Sequence, residues 1–410
     1  MLTAHRIALD PNNRQSTWLA RAAGTARFAW NWALDEWQRQ YAAWKADNRR
    51  PRPSEAALRR QLNAIKREQF PWMLEVTKCA PQMAIMQLGR AFGNFFAGRA
   101  RYPKFRRKGV DDRFTLSNDQ VKVSGSHIRI PKLGWVRMRE PLRFSGKIMS
   151  ATVSRTADRW FVSITVDTDD PPRRPAENQG VVGVDVGVAA LATLSTGETI
   201  PGPKPHTALL KRLRRLSRSL SRKQKGSRNR ARARRKLARL HARTANIRQD
   251  ALHKLTSKLT SELTRRFHTI VIEDLNVRGM LANRRLARSI ADMGWGEFRR
   301  QLEYKAARRG GLVVAADRFF ASSRTCSACG HQLEVLPLSV RRWRCRACGI
   351  LHDRDVNAAR NLLAYGLAVL NGSTASSAGC QACGEEGSGG GRKAVVKPAS
   401  TKQEVSFVPA

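Results

Sequence analysis

With 410 residues and 41% hydrophobic side chains, the chain is long enough for two or three domains with cores of their own, which excludes a disordered basic tail. Lys and Arg number 76 against 32 Asp and Glu, and the resulting +44 charge excludes a small acidic metabolite as the main partner and favours a long polyanion, nucleic acid first. A membrane surface is the rival polyanion, but no apolar run is long enough to span a bilayer and MLTAHRIALDPNN holds no signal-peptide core, so a reducing cytoplasmic setting is expected.

Residues 1 to 9 alternate weakly and predict a strand that pairs with something distant, ended by Asp10-Pro11-Asn12-Asn13. From Ser16 to Ala46 the spacing of Trp30, Leu34, Trp37, Tyr41 and Trp44 predicts a helix with that face in the core; base stacking by an exposed member is the other role open to it. A second helical region spans Ser54 to about Arg101, broken near Pro71 and Pro81. It runs into RARYPKFRRKG, where Tyr102, Lys104, Arg106 and Arg107 suit a surface that tracks phosphates, although a solvated loop has the same composition.

Short β segments follow over 114 to 167, at Ile128–Ile130, Trp135–Met138, Ile148–Ser154 and Trp160–Val166, which predicts a small antiparallel barrel or sheet. If the first strand completes it, the helices of 16 to 110 are an insertion. Asp167 to Gly180 reads as a linker.

An apolar strand, VVGVDVG, then encloses Asp185, and a second, TIVIED, ends in Glu273; a third is expected at Gly311 to Ala316. A carboxylate in such a strand is salt-bridged, hydrogen-bonded or on a metal. Between them lies a helical block over 207 to 266, rich in Arg and Lys, with an apolar face that pauses at Gly226. Its charge density is too high for a merely solvated face, so Arg212, Arg215, Arg222, Arg228, Arg232 and Arg235 are expected to contact phosphate backbone. Asn276 to Tyr304 is a further helical excursion.

Cys326, Cys329, Cys345 and Cys348 form two C-x2-C pairs at the separation of a four-thiolate zinc site, closed and structural. Directly after them HDRDVNAARN places Asp355 at a helix start, where an acid is either a cap or a ligand. Asp185, Glu273 and Asp355 brought together would repel unless divalent cations neutralised them, so convergence predicts Mg²⁺ or Mn²⁺ and phosphodiester hydrolysis. From Asn371 onward the Gly- and Ser-rich tail is expected to be disordered, with Cys380 and Cys383 incidental.

GVDVGVAALATLS, VIEDLNVRGM and CSACG…CRACG…HDRDVNAARN resemble the TnpB (OrfB) family of bacterial insertion sequences, relatives of type V CRISPR effectors. RFAWNWAL, YPKFRRK, IPKLGWVRM and SRTADRWFVSI extend the resemblance over nearly the whole chain. The fold it implies is α/β plus a β-barrel and a helical lobe: a wedge-like barrel (1–15 and 111–170), a helical recognition domain (16–110), a split RuvC-like nuclease of the ribonuclease H fold (171–325 and 350–370) and a zinc-binding, target-nucleic-acid-binding insertion (326–349). The activity it implies is an RNA-guided DNA endonuclease, with Asp185, Glu273 and Asp355 as metal-binding acids, a transposon-end noncoding guide RNA and target DNA as partners, and a separate transposase in the same element. The alternatives are an RNA-guided DNA binder without cleavage, whose mark would be a lost acid and is absent, and a transposase or transposase accessory factor. Strand-transfer chemistry fits the three-acid order with a zinc insertion before the last acid less well, and a basic zinc-ribbon RNA-binding protein would not explain acids in three apolar segments.

Overall fold

The computed structural model describes residues 2–168 and 180–372, leaving aside the side chains of 262–265. Most of the expected linker, the tail from 373 and Cys380 and Cys383 lie outside the described residues. Among the described residues no helix is long and apolar enough to cross a membrane.

The first strand, β1 (Leu2–Ala8), turns Thr3, His5 and Ile7 inward and leaves Leu2 exposed. Asn12 then starts α1 (Asn13–Ala46) through a reciprocal capping box with Gln15, which satisfies two of the otherwise free amide groups. Leu34 and Trp37 of the predicted face are buried, and the Trp37 ring stacks on Phe92 at 4.1 Å, whereas Tyr41 is exposed. Next come α2 (Glu55–Gln69), capped by Ser54, and α3 (Cys79–Phe96), separated by a 3-10 turn at Pro71–Glu75. Short strands follow: β2 (Arg113–Ser117), β3 (Lys122–Ser124), β4 (His127–Ile130), β5 (Gly134–Arg137), β6 (Lys147–Thr156) and β7 (Arg159–Asp167).

These strands do not close into the expected barrel. An antiparallel sheet runs β1–β7–β6–β2, and a separate one runs β3–β4–β5. Among the described residues a bridge between Leu9 and Met138 links the end of β1 to the end of β5, with Asp10 N donating to Arg137 O at 2.8 Å and Arg139 N to Ala8 O at 2.9 Å. The physical reason is local: between β2 and β3 the chain turns through Asn118–Gln120, where the Asp119 carboxylate accepts from Ser117 and Gln120 at 2.5 and 2.7 Å. That turn leads β3 off the β2 edge, so no ladder joins the two sheets there. β1 pairs with β7 along its whole length, from Leu2 opposite Asp167 to Ala8 opposite Phe161, which makes α1, α2 and α3 an excursion between paired strands.

The second half opens with β8 (Val181–Asp185), β9 (Ala192–Leu194) and β10 (Thr199–Ile200). Two basic helices follow, α4 (Pro205–Ser221) and the 39-residue α5 (Arg228–Arg266), broken where Gly226 takes φ +85°. Then come β11 (Thr269–Glu273), α6 (Val277–Met280), α7 (Ala287–Met293), α8 (Trp295–Arg308), β12 (Leu312–Ala316), β13 (Arg342–Arg344), β14 (Leu351–Asp353) and α9 (Arg354–Leu370).

Two compact units result. One holds the front half with α4, most of α5, α7 and α8. Within it α4 has no cap of its own; the buried Asp292 of α7 accepts from the backbone N–H groups of His206 and Thr207 at 2.8 and 2.9 Å and so serves as its cap. The other unit holds a five-stranded sheet, β10–β9–β8–β11–β12, in which β8, β11 and β12 are parallel. Both β8 and β11 are buried on both faces until their last residue, the pattern of central parallel strands.

Across this sheet lies α9, in backbone contact: a Cβ on Gly183 of β8 would run into the carbonyl oxygen of Ala359, and one on Gly366 of α9 into Val271. Gly183→Ala is therefore expected to cost about 1–3 kcal/mol by forcing α9 outward. Gly197→Ala, where nothing stands within 4 Å, should cost only the strain of its positive φ. Urea-unfolding midpoints of the two variants test the difference.

Candidate functional site

Parallel pairing sets the first two acids side by side. Val184 pairs with Ile272, and Asp185 and Glu273 are the next residue on each strand, where the apolar runs end. α9 brings the third. Its N-cap is Asp353, whose carboxylate accepts from the backbone N–H groups of Asp355 and Val356, both at 3.1 Å. Capping is thus done by Asp353, and the Asp355 carboxylate is left for other work.

Electrostatics record the convergence. The Asp185 carboxyl is pushed well above the usual carboxylate range, first by burial, then by the negative charges of Glu273 and Asp355, against a counter-pull from Arg354 and Arg341. Burial also raises Glu273, while a hydrogen bond from Ser322 and the charge of Arg354 hold it back. Ser322 Oγ donates to Glu273 Oε1 at 2.5 Å, and Arg341 Nη1 lies 3.2 Å from Asp355 Oδ1. Two covered carboxylates and a third within electrostatic reach are a poor arrangement for a stable core and a good one for hard divalent cations, which take oxygen donors.

The cysteines form the second centre. The four Sγ atoms all lie within 4.8 Å of one another, with Cys326–Cys348 at 3.7 Å and Cys329–Cys345 at 3.6 Å. A tetrahedron with Zn–S bonds of about 2.3 Å has edges of about 3.8 Å, so the cluster fits one structural Zn²⁺. The Cys345 thiol is drawn down to about 6, chiefly by the backbone N–H of Cys348, with that of Ala347 assisting. His352 brings Nε2 to 3.0 Å from Cys326 Sγ and packs its ring on Trp343 at 4.8 Å.

Of the expected nucleic-acid contacts, Arg212, Arg215, Arg222, Arg228, Arg232 and Arg235 are all exposed on or beside α4 and α5. Arg212 and Arg215 line a cleft of about 860 Å³ with Arg159, Lys236, Arg239 and Arg243, floored by Phe161, Leu216 and Leu240. Asp158 is the acid of that cleft, and Arg239 holds it through Nε at 2.8 Å and through Nη2.

Residues 102–107 divide. Lys104 and Arg107 are exposed. Tyr102 keeps an exposed edge while its ring packs against Phe92 and Phe95. Arg106 is engaged inside the fold: its guanidinium lies 3.7 Å over the Trp30 ring and donates to Gln87 at 3.2 Å, and burial lowers it to about 10. Asn31 ties the same stretch down by accepting from Arg106 N at 2.7 Å.

Sequence reasoning passed over Ser322, Arg341, Arg354, Asn357 and Asn361 around the acids and Lys236, Arg239 and Arg243 in the cleft. One signal was available: Asn357 and Asn361 are weak helix formers four residues apart in an Ala- and Leu-rich helix, the spacing of one face.

Three family models match the chain: "Probable transposase" over 162–284, "Cas12f1-like, TNB domain" over 295–362 and "Helix-turn-helix domain" over 1–45. The first spans Asp185 and Glu273, and the second spans the cysteines and Asp355. Residues 1–45 form β1 and nearly all of the single helix α1. A "Putative RNA-guided DNA endonuclease" of Streptomyces pristinaespiralis is 41% identical over 376 residues, 89% of each chain. The InsQ protein of Escherichia coli K12, which carries the same description, is 37% identical over 90% of this chain and 93% of its own. A cryo-EM structure of a Cas12f1–sgRNA–target DNA complex has a similar fold, with TM-score 0.52 over 86% of this chain and 83% of that one at 14% identity.

Proposed function

The chain belongs to the OrfB (TnpB) family of IS605-type elements, and from that premise we propose that it is an RNA-guided DNA endonuclease whose reaction centre is Asp185, Glu273 and Asp355. The observation that carries the proposal is the convergence of these three carboxylates at the ends of β8 and β11 and the start of α9, close enough that Glu273 and Asp355 both raise Asp185.

On this reading the parallel sheet and α9 are the core of a split RuvC-like nuclease within residues 171–325 and 350–370. Residues 326–349 are its zinc-held insertion for the target strand, 16–110 the recognition helices, and 1–15 with 111–170 the wedge-like strands. Asp185, Glu273 and Asp355 would hold Mg²⁺ or Mn²⁺. When bound, such an ion supplies Lewis-acid activation of water and of the phosphodiester. The chain's own residues do the rest. The apolar β8 and β11 behind the carboxylates exclude water, and Arg341 supplies positive charge beside Asp355, where a phosphate would approach.

Base pairing with a noncoding guide from the transposon end would select the target beside a short flanking motif, while the protein grips backbone. The cleft between the β6–β7 turn and α4 and α5 suits that grip, since its cations face a floor of apolar side chains and no base-reading pattern is needed. Replacing Arg212, Arg215 and Arg243 by Gln should weaken binding to all sequences alike and flatten the slope of log K against log salt by about 3, near one per lost phosphate contact. Filter binding over a salt series measures it. Nucleoid DNA in a bacterial cytoplasm would be the working location, with a separate transposase from the same element.

The deciding experiment purifies the protein with its co-expressed flanking transcript and supplies Mg²⁺ and plasmids carrying a guide-matched target beside randomised flanks. Cleavage that requires transcript, metal and Asp185 is the expected result. Guide-dependent binding without cleavage would overturn the endonuclease reading.

A further inference from the structure

Glu273 is not held in place by its own strand alone. Its Oε1 accepts from the hydroxyl of Ser322, which sits beyond the end of β12 and is buried. Ser322 is in turn fixed by α9. Asn361 Nδ2 donates to the carbonyl oxygens of Ser322 and Thr325 at 2.7 and 2.6 Å. One turn earlier, Asn357 Nδ2 donates to Thr325 O at 2.7 Å, and its Oδ1 accepts from Ser327 N at 2.9 Å. Both amides are buried.

Two buried carboxamides in a helix are costly unless their hydrogen bonds are filled, and here they are filled by the backbone of the turn that leads from Ala321 into the Thr325–Gln332 bridge. That segment carries Ser322 at one end and Cys326 at the other. We propose that Ser322, Asn357 and Asn361 form a positioning clamp: α9, which bears Asp355, holds the 322–327 segment in register, and Ser322 thereby fixes the orientation of the Glu273 carboxylate at the end of β11. The inference rests on the three-acid reading above. It adds three residues to that centre, and through Ser322 and Cys326 it joins one short stretch of chain to both Glu273 and the cysteine cluster.

The clamp chooses a geometry for Glu273. By holding Oε1, the Ser322 hydroxyl fixes the rotamer in which the Glu273 carboxylate is offered to a cation. Removing a group that orients a metal ligand characteristically lowers metal affinity about 10- to 100-fold. Bulk folding is affected less, because Ser322 is small and its loss leaves little empty volume.

The test uses the full chain with its copurified RNA and reads Mn²⁺ binding by electron paramagnetic resonance, alongside thermal unfolding. Asp185→Asn is the reference and should abolish tight Mn²⁺ binding. Ser322→Ala should raise the Mn²⁺ dissociation constant about 10-fold or more, with its unfolding temperature close to that of the parent, and Ser322→Thr, which keeps a hydroxyl, should restore it. Asn361→Ala should weaken Mn²⁺ binding in the same direction, since it frees the Ser322 carbonyl. Unchanged Mn²⁺ binding in Ser322→Ala, with Asp185→Asn defective, overturns the clamp and leaves the acid centre standing. Unchanged binding in Asp185→Asn overturns the acid centre itself. Should Ser322→Ala lose its fold, Ser322→Thr and Asn361→Ala decide: tight binding in Asn361→Ala, or weak binding in a folded Ser322→Thr, overturns the proposal.

Discussion

Asp185→Asn is expected to reduce guide-directed DNA cleavage at least about 1,000-fold, equivalent to about 4 kcal/mol of barrier, while leaving binding of guide RNA and target within about twofold. The amide keeps the shape of the side chain and removes only the charge. Asp185 ends a strand buried on both faces, and burial, Glu273 and Asp355 raise its carboxyl more than Arg354 and Arg341 lower it, so its charge is on balance a cost to the fold. The binding cations stand on other elements, α4 and α5, and are exposed. Single-turnover cleavage beside a gel-shift assay separates the two effects. Loss of binding together with cleavage would make Asp185 a structural residue.

The same centre dictates a pH dependence. A carboxyl raised above its ordinary value of 3.8 binds more protons folded than unfolded, so without divalent ions stability falls as pH climbs through the raised value. Mg²⁺ must displace that proton, hence the Mg²⁺ concentration for half-maximal cleavage should rise as pH falls. Melting curves with and without Mg²⁺ between pH 5 and 8 should converge at the acid end and separate at the basic end.

Cys345→Ser should lose bound zinc and unfold residues 326–349. The apolar cluster there is small: Cys326, Trp343 and Cys345 are buried, with Leu333, Leu336 and Val340 partly covering them. So few side chains do not outweigh the chain entropy of a segment this short, whereas a structural Zn²⁺ supplies about 10–16 kcal/mol in comparable small sites. Serine at 345 removes the thiol drawn down to about 6. Damage should spread to the acids, because β13 pairs with β14 from Arg342 opposite Asp353 to Arg344 opposite Leu351, and β14 runs straight into α9. Metal analysis and limited proteolysis read the first effect, and cleavage rate the second. A variant with full zinc content and parental protease resistance would overturn the tetrathiolate site.

Much of this centre was legible in the chain itself. Cysteine spacing announces a tetrathiolate because two C-x2-C turns each present two sulfurs to one side, a local geometry that needs no distant partner. Apolar runs carrying Asp185 and Glu273 announce buried strands; that β8 and β11 run parallel came from the fold. Charge alone announced a polyanion, and Gly226 the break between the basic helices.

Tertiary structure decided the rest. Whether Asp355 caps the helix or binds a ligand was open in HDRD; the backbone of α9 gives the cap to Asp353. Arg106 belongs to a run that looks uniformly exposed, yet the Trp30 ring beneath it draws it inward. The barrel reading failed because strand count and alternation do not encode closure, which depends on a turn at Asn118–Gln120 and on edges far apart in sequence. Ser322, Asn357 and Asn361 were hidden for the same reason: composition and period report what a residue is and which face it occupies, whereas a hydrogen bond from Asn361 to Ser322, 39 residues away, exists only once the chain has folded.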